Sequence, residues 1–138
     1  MSRLRLAPLL LFALVGCGGP EFQYNGSWKG NRNLKLSNVD RYTTYTLGDV
    51  SLTIKDNKFD LTEEGIPTSG SVSYAGSHIE LHTQYIMNVS IAHEGGDADS
   101  NHPTIVVTPQ KDGTLLLDDP RAPDGKPVAL KRVDKKES

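Results

Sequence analysis

The chain has 138 residues and a formal net charge of −2, enough for one domain of ordinary size but not for two. Outside the apolar residues 1–16, only 39 of 122 residues are apolar, which predicts a thin hydrophobic core. Those 122 residues carry 13 basic and 17 acidic side chains. This balance argues against a nucleic-acid-binding protein, because such proteins present a basic face or stripe.

Residues 1–16 form a predicted signal peptide. Arg3 and Arg5 supply a positively charged start, and an apolar run from Leu6 to Val15 follows, broken by Pro8. The run is too short to cross a bilayer but has the length of a signal-peptide core. We therefore expect the chain to be exported.

The signal peptide leads into Leu14-Val15-Gly16-Cys17, which resembles the lipobox of bacterial lipoproteins. The resemblance implies that Gly16 admits a signal peptidase to its peptide bond and that Cys17 receives a diacylglyceryl group. Acyl chains such as palmitate would then anchor the protein, since two or more chains hold stably in a bilayer. Lipidation also explains a single Cys in an exported chain, which cannot form an internal disulfide. The alternative is a cleaved secretory signal followed by a chance Cys.

The residues that follow Cys17 predict where the protein is located. Residues 17–25 are interpreted as the lipidated Cys and its tether, because Gly18-Gly19-Pro20-Glu21 has the composition of a flexible linker. The residue after Cys17 is Gly18 rather than Asp, and in Gram-negative lipoproteins this resemblance implies sorting to the outer membrane. We expect a protein of the bacterial cell envelope, lipid-anchored and facing the periplasm.

From Trp28 onwards, apolar and polar residues alternate with a period of two, which indicates strands with one buried face. The pattern predicts a first strand opened by Gly26-Ser27-Trp28, followed by strands over 50–55, 58–62, 71–74, 78–85, 104–108, 114–117 and 128–133. Residues 64–69 are expected to form a loop, and residues 37–47 to form either a strand or a short helical cap. We predict an all-β domain over 26–133 with a polar tail over 134–138. Its expected fold is an antiparallel up-and-down barrel of about eight strands; a small antiparallel β-sandwich is the alternative.

Two ends of the domain favour the barrel. Arg132 is in phase with Val128 and Leu130 on the last strand, and an inward charge there needs a partner. An indole ring supplies one through a cation–π contact. The pairing of Gly26-Ser27-Trp28 with a late Arg resembles lipocalins and other calycins, and it implies that Gly26, Trp28 and Arg132 close one barrel end. The chain lacks the Thr-Asp-Tyr triplet of the second lipocalin motif.

Two polar stretches are weighed as cation sites. Asp97, Asp99 and Asn101 fit half of a calcium-binding loop, but His102 stands where a Gly is required. A weak site using His93, Asp97, Asp99 and His102 is the candidate; a solvated loop is the favoured interpretation. On the predicted 78–85 strand, alternation places His78, Glu80 and His82 on one face. They would be either transition-metal ligands or part of the wet outer face of the barrel. We predict no metal and no cofactor.

The sequence leaves two hypotheses for the function of the domain. No nucleophile motif or phosphate-binding loop is present in the sequence, so we do not predict an enzyme. The favoured hypothesis is a non-enzymatic interaction or structural module that binds an envelope protein through the loops and outer face of a filled barrel. The alternative is a binding module for a small apolar ligand in the barrel interior. The candidate lining residues for that ligand are Leu52, Ile54, Phe59, Leu61, Val72, Tyr74, Leu81, Tyr85, Leu115 and Leu117.

Overall fold

A computed structural model describes residues 22–34, 47–93 and 102–134. Within these residues the chain forms nine strands and one short 3-10 turn, Ile91–His93, and residues 47–48 are helical. The strands are β1 (Gly26–Asn31), β2 (Asp49–Lys55), β3 (Lys58–Glu63), β4 (Ile66–Tyr74), β5 (Ile79–Ile86), β6 (Val89–Ser90), β7 (Ile105–Pro109), β8 (Leu115–Asp118) and β9 (Val128–Arg132). The prediction of an all-β domain is confirmed.

Eight of these strands close into an antiparallel barrel. The order around the sheet is β4, β3, β2, β1, β9, β8, β7, β5, and pairing of β4 with β5 completes the ring. The short strand β6 is additional and pairs with the end of β5. The up-and-down barrel predicted from the sequence is therefore the observed fold, and the sandwich alternative is wrong. A barrel of eight strands is just wide enough for its interior to be filled by side chains.

The interior of the barrel is a single cluster of apolar side chains, each at most 6% exposed. Alternation puts these side chains on one face of each strand, so the opposite face meets solvent. The cluster consists of Trp28, Val50, Leu52, Ile54, Phe59, Leu61, Val72, Ile79, Leu81, Ile105, Val107, Leu115, Leu117, Val128 and Leu130.

Strand β5 contains a β-bulge. Its pairing with β4 passes from Gly70 opposite Thr83 to Ser69 opposite Tyr85, so one step along β4 matches two along β5. Past a bulge the alternation changes face. Tyr85 is consequently 45% exposed instead of inward-facing, and Ile86 takes the half-buried position opposite Thr68.

Several predicted boundaries differ from the structure. The expected loop over 64–69 is a two-residue turn, Glu64–Gly65, because β4 begins at Ile66. The folded unit also starts before Gly26, since residues 22–25 pack on the barrel. Of the undecided stretch 37–47, all but its last residue lies outside the described residues, as do 135–138 of the tail.

The barrel has two different ends. One end, which we call the closed end, is formed by residues 22–25 and the turns at 56–57, 75–78 and 110–114. The mouth is the opposite end, formed by the turns at 64–65 and 87–88 and by the loop over 119–127.

Candidate functional sites at the two barrel ends

At the closed end, Trp28 and Arg132 are in contact as the sequence predicts. They are direct partners in the β1–β9 pairing, and Arg132 Cζ lies 4.2 Å from the centroid of the Trp28 ring. Trp28 is 1% exposed, whereas Arg132 is exposed. The guanidinium thus covers the indole at the barrel end, where a cation–π contact contributes roughly 0.5–2 kcal/mol.

Gly26 belongs to the same arrangement for a steric reason. A Cβ at this position would lie 2.6 Å from Arg132 Nη1, and the backbone φ is +136°. The φ disfavours any other residue, because only glycine adopts it readily, and a Cβ would displace the guanidinium of Arg132 from its position. The glycine two residues before Trp28 therefore makes room for the Arg that covers the ring.

The same two side chains hold residues 22–25 against the barrel. Arg132 Nη1 donates to the carbonyl of Asn25 at 2.8 Å, and Arg132 Nη2 donates to the carbonyl of Gln23. Trp28 Nε1 donates to the carbonyl of Tyr24 at 2.9 Å. Phe22 stacks on Trp28 with ring centroids 5.9 Å apart. The path by which the chain leaves the barrel towards its N-terminus is fixed by these contacts.

Tyr74 lies at the closed end, where it is part of an aromatic surface and not of the barrel interior. It is 55% exposed, so its prediction as a ligand-lining residue is wrong. Tyr74 is the last residue of β4, where the wall ends, and its hydroxyl donates to the carbonyl of Asp56 at 2.5 Å. Tyr24 lies edge-on to it, 5.9 Å between centroids. Burial, followed by the neighbouring Tyr74, raises the pKa of Tyr24.

At the mouth, Arg32 makes an ion-pair network that the sequence analysis missed. Its side chain is 1% exposed and continues the inward phase of Trp28 and Gly30 just past β1. Arg32 Nη2 donates to Glu63 Oε1 at 2.5 Å, and Arg32 Nη1 donates to Asp124 Oδ1 at 3.3 Å and to the carbonyl of Lys126 at 2.6 Å. The sequence contains a signal for this network. Arg32 is an even number of residues from Trp28, so alternation predicts that it faces inwards, as it does for Arg132 relative to Val128 and Leu130.

Glu63 is also hydrogen-bonded to Asp119, and the two carboxyl groups titrate differently. Burial raises the pKa of Glu63, and the bond to Asp119 adds to this rise against the opposing effect of Arg32. Burial alone would raise the pKa of Asp119 too, but hydrogen bonds from Arg121 and Glu63 outweigh it and lower that pKa. Arg121 Nε and Nη2 each lie 3.2 Å from an Asp119 oxygen. The two pKa values are therefore shifted in opposite directions, so Glu63 holds its proton more tightly than Asp119 does.

A cavity of about 240 Å³ opens beside this network. Its lining combines apolar residues, among them Ile66 and Ile86, with the charged residues Glu63, Asp119 and Arg121. The volume is below the range of about 300–1,000 Å³ common for ligand pockets. The cavity lies at the rim, outside the apolar cluster that fills the barrel.

The other candidate lining residues are placed in the filled core. Leu52, Ile54, Phe59, Leu61, Val72, Leu81, Leu115 and Leu117 are all buried in the apolar cluster. They pack on one another and provide the interior of the fold.

The candidate cation sites are placed as follows. Asp97 and Asp99 lie outside the described residues, as does Cys17; His93 ends the 3-10 turn and His102 is half-buried. Within the described ranges, no group of three or more His, Cys, Asp and Glu could hold a metal ion.

The three polar residues of β5 lie on the outer face of the barrel. His78 Nε2 and His82 Nε2 each lie 3.5 Å from a carboxylate oxygen of Glu80, and all three side chains are partly exposed. The arrangement is a surface pair of His–Glu contacts, which contribute little at such exposure.

Across residues 22–34, 47–93 and 102–134, no helix combines the length and hydrophobicity needed to span a membrane. Comparisons with protein-family models, with curated proteins and with solved structures found no match to this chain.

Proposed function

We propose that this chain is a lipid-anchored protein of the bacterial cell envelope whose barrel is lipocalin-like and acts as a non-enzymatic interaction or structural module. The lipobox-like Leu14-Val15-Gly16-Cys17 supports the anchor. The Trp28–Arg132 stack, with Gly26 beneath it, supports the lipocalin-like description. The outer membrane, facing the periplasm, is the location that Gly18 favours.

The apolar cluster in the barrel interior is the observation that favours interaction through the surface over capture of a ligand inside the barrel. The apolar side chains of β2, β3 and β8 belong to one buried cluster, and Leu52, Leu115 and Leu117 are 0% exposed, which favours a filled interior. Emptying a barrel with so few apolar residues would sacrifice burial that a small domain depends on. Interaction through the mouth loops and the outer face therefore fits this barrel better than capture of a ligand inside it.

The rim of the mouth offers a surface for such contacts. Ile66, Met87 and Val89 are exposed large apolar residues at or near the mouth. Ile66 also lines the cavity, together with the charged Glu63, Glu64, Asp119 and Arg121. Exposed apolar residues bordered by charges are typical of protein-binding surfaces. The flexible thioether of Met87 adapts to different partners.

Substitution of Cys17 tests the anchor. Cys17→Ala should abolish incorporation of radiolabelled palmitate and leave the protein unprocessed or soluble, because the thiol that carries the lipid is gone. Gly18→Asp is the matched control: it should keep the palmitate, and a move from the outer to the inner membrane would support the sorting. Palmitate incorporation into Cys17→Ala equal to that of the unmodified chain would contradict the anchor.

The unlipidated Cys17→Ala protein also separates the two modes of action. After purification it is extracted with organic solvent, and the extract is analysed by mass spectrometry. A filled barrel should yield no stoichiometric lipid or other apolar molecule. Recovery of one apolar molecule per chain would favour the ligand-binding alternative.

A further inference from the structure

We propose that the closed end is the surface of the barrel that faces the bilayer, with Phe22, Tyr24 and Tyr74 in contact with lipid headgroups. This inference rests on the proposed lipid anchor at Cys17. It assigns a binding surface to one end of the barrel and leaves the mouth directed away from the membrane.

The length of chain between the anchor and the barrel sets the first limit. Phe22 follows Cys17 by five residues, and five residues span at most about 18 Å when fully extended. The nine-residue β4 is roughly 30 Å long from the closed end to the mouth. Because the tether leaves at the closed end, it is too short to run back along β4 and bring the mouth to the membrane.

Residues 22–25 are held on the barrel by their contacts, so they add no length to the tether. Arg132 binds the carbonyls of Gln23 and Asn25, Trp28 binds that of Tyr24, and Phe22 stacks on Trp28. The free tether therefore ends at Phe22, directly against the barrel. The Trp28–Arg132 stack thus sets both the barrel closure and the point where the anchor is attached.

The chemistry of the closed end suits a headgroup layer. Phe22 and Tyr24 are half-buried, and Tyr74 is 55% exposed beside them. Tyrosine rings favour the membrane–water interface because they have an apolar body and a polar tip. The surface is partly apolar but keeps hydroxyl groups at its edge, as expected for contact with headgroups instead of insertion into the hydrocarbon.

The charges of the two ends differ in the direction that this orientation requires. Lys55, Lys58 and Lys111 are exposed around the closed end, and basic residues near an anionic membrane surface are attracted to it. With Arg132 these lysines outnumber the acidic residues of that end, Asp56, Asp112 and Asp134. At the mouth the balance is reversed: the carboxyl groups of Glu63, Glu64, Asp118, Asp119 and Asp124 outnumber the basic side chains of Arg32, Arg121 and Lys126. An anionic bilayer therefore attracts the closed end and repels the mouth.

A pair of single-cysteine variants tests the orientation. The lipidated full chain is purified from membranes and placed in vesicles of phosphatidylethanolamine and phosphatidylglycerol. Since acylation occupies Cys17, an introduced Cys is the free thiol available for an environment-sensitive fluorophore. Ser77→Cys places it at the closed end, and Lys126→Cys places it at the mouth.

A nitroxide on the lipid headgroups should quench the Ser77→Cys label several-fold more than the Lys126→Cys label. Equal quenching, as for a barrel lying on its side, or stronger quenching at the mouth would overturn the inference. Palmitate incorporation is measured on the same samples. Loss of palmitate would refute the proposed function, whereas full palmitate with equal quenching would refute only the orientation.

The contribution of the aromatic surface is tested on the same label. Tyr74→Ser should reduce quenching at Ser77→Cys several-fold without changing palmitate incorporation, because the exposed ring is lost from the contact. Tyr85→Ser is the matched control, since Tyr85 is similarly exposed but lies on the side of the barrel; it should leave quenching unchanged. Unchanged quenching with Tyr74→Ser would contradict the headgroup contact of this ring.

Discussion

Arg32 and Arg132 both follow the inward-facing phase of their strands, but one is buried and the other is exposed, and they have different roles. Arg132 is exposed and lies over Trp28, so its partner is a ring and its charge remains hydrated. Arg32 is buried and meets Glu63 and Asp124, because a guanidinium removed from water requires compensating charge. Position along the barrel axis, at the closed end or the mouth, determines which kind of partner each one has.

The energy of the Trp28–Arg132 contact is measurable in a double-mutant cycle. Trp28→Ala should lower the free energy of unfolding by about 3–5 kcal/mol, as for other large-to-small core changes. Arg132→Ala should cost roughly 1–2 kcal/mol through the lost cation–π contact and stem packing. Urea unfolding followed by circular dichroism gives both values, and the pair should be non-additive because the residues touch.

Lys131→Ala is the matched control for this cycle, since Lys131 is an exposed basic residue on the same strand. It should change the free energy of unfolding by less than about 0.5 kcal/mol. Additivity of Trp28→Ala and Arg132→Ala within error would contradict a stabilising contact.

At the scale of elements, the pairing of β4 with β5 closes the barrel and also contains a β-bulge. The bulge lets Tyr85 face outwards while Ile86 turns inwards. Gly70 lies at this point, where a Cβ would be 2.0 Å from the carbonyl oxygen of His82. The two strands approach so closely there that no side chain fits between them.

Gly70→Ala should therefore destabilise the barrel by about 3 kcal/mol, the upper end of the usual cost of overpacking, because the clash is with backbone. Gly76→Ala is the control: Gly76 has a φ of +69° in an open turn with no atom near its Cβ position. Its cost should be about 1 kcal/mol, from backbone conformation only. Equal melting temperatures for the two variants would contradict the close approach at Gly70.

For the whole molecule, the mouth network couples stability to pH. Arg32, Glu63 and Asp119 join the end of β1, the end of β3 and the loop after β8. The lowered pKa of Asp119 contributes stability above its ordinary value of 3.8, which is lost as the pH falls through the native pKa. The raised pKa of Glu63 acts in the opposite direction: stability declines as the pH rises from its ordinary 4.5 through the native value.

Glu63→Gln should remove the decline above pH 4.5 and keep the acid-side loss, since the amide can still donate to Asp119. Urea unfolding monitored by the fluorescence of Trp28, at a series of pH values, measures both limbs. Glu64→Gln is the control, because Glu64 is exposed in the adjacent turn and should leave the profile as it is. A profile of Glu63→Gln that matches the unmodified protein would contradict the raised pKa.

Strand phase and turn position are local properties, and the sequence by itself determined them. The alternation of Val50, Leu52 and Ile54 with polar neighbours predicted β2 and its buried face, and Asp56–Asn57 predicted the following turn. The phase of Arg132 against Val128 and Leu130 was enough to predict its contact with Trp28, because antiparallel closure brings the first and last strands together.

Only the tertiary structure decided the partners of Arg32, the packing of residues 22–25 and the point where the alternation changes. Arg32 finds Glu63 31 residues away and Asp124 92 residues away, and Tyr85 changes face because of a bulge relative to β4. The packing of Phe22 and Tyr24 on Trp28 likewise depends on the closed barrel. A local pattern specifies the phase of one strand, but these contacts depend on the register between strands, which only the assembled barrel determines.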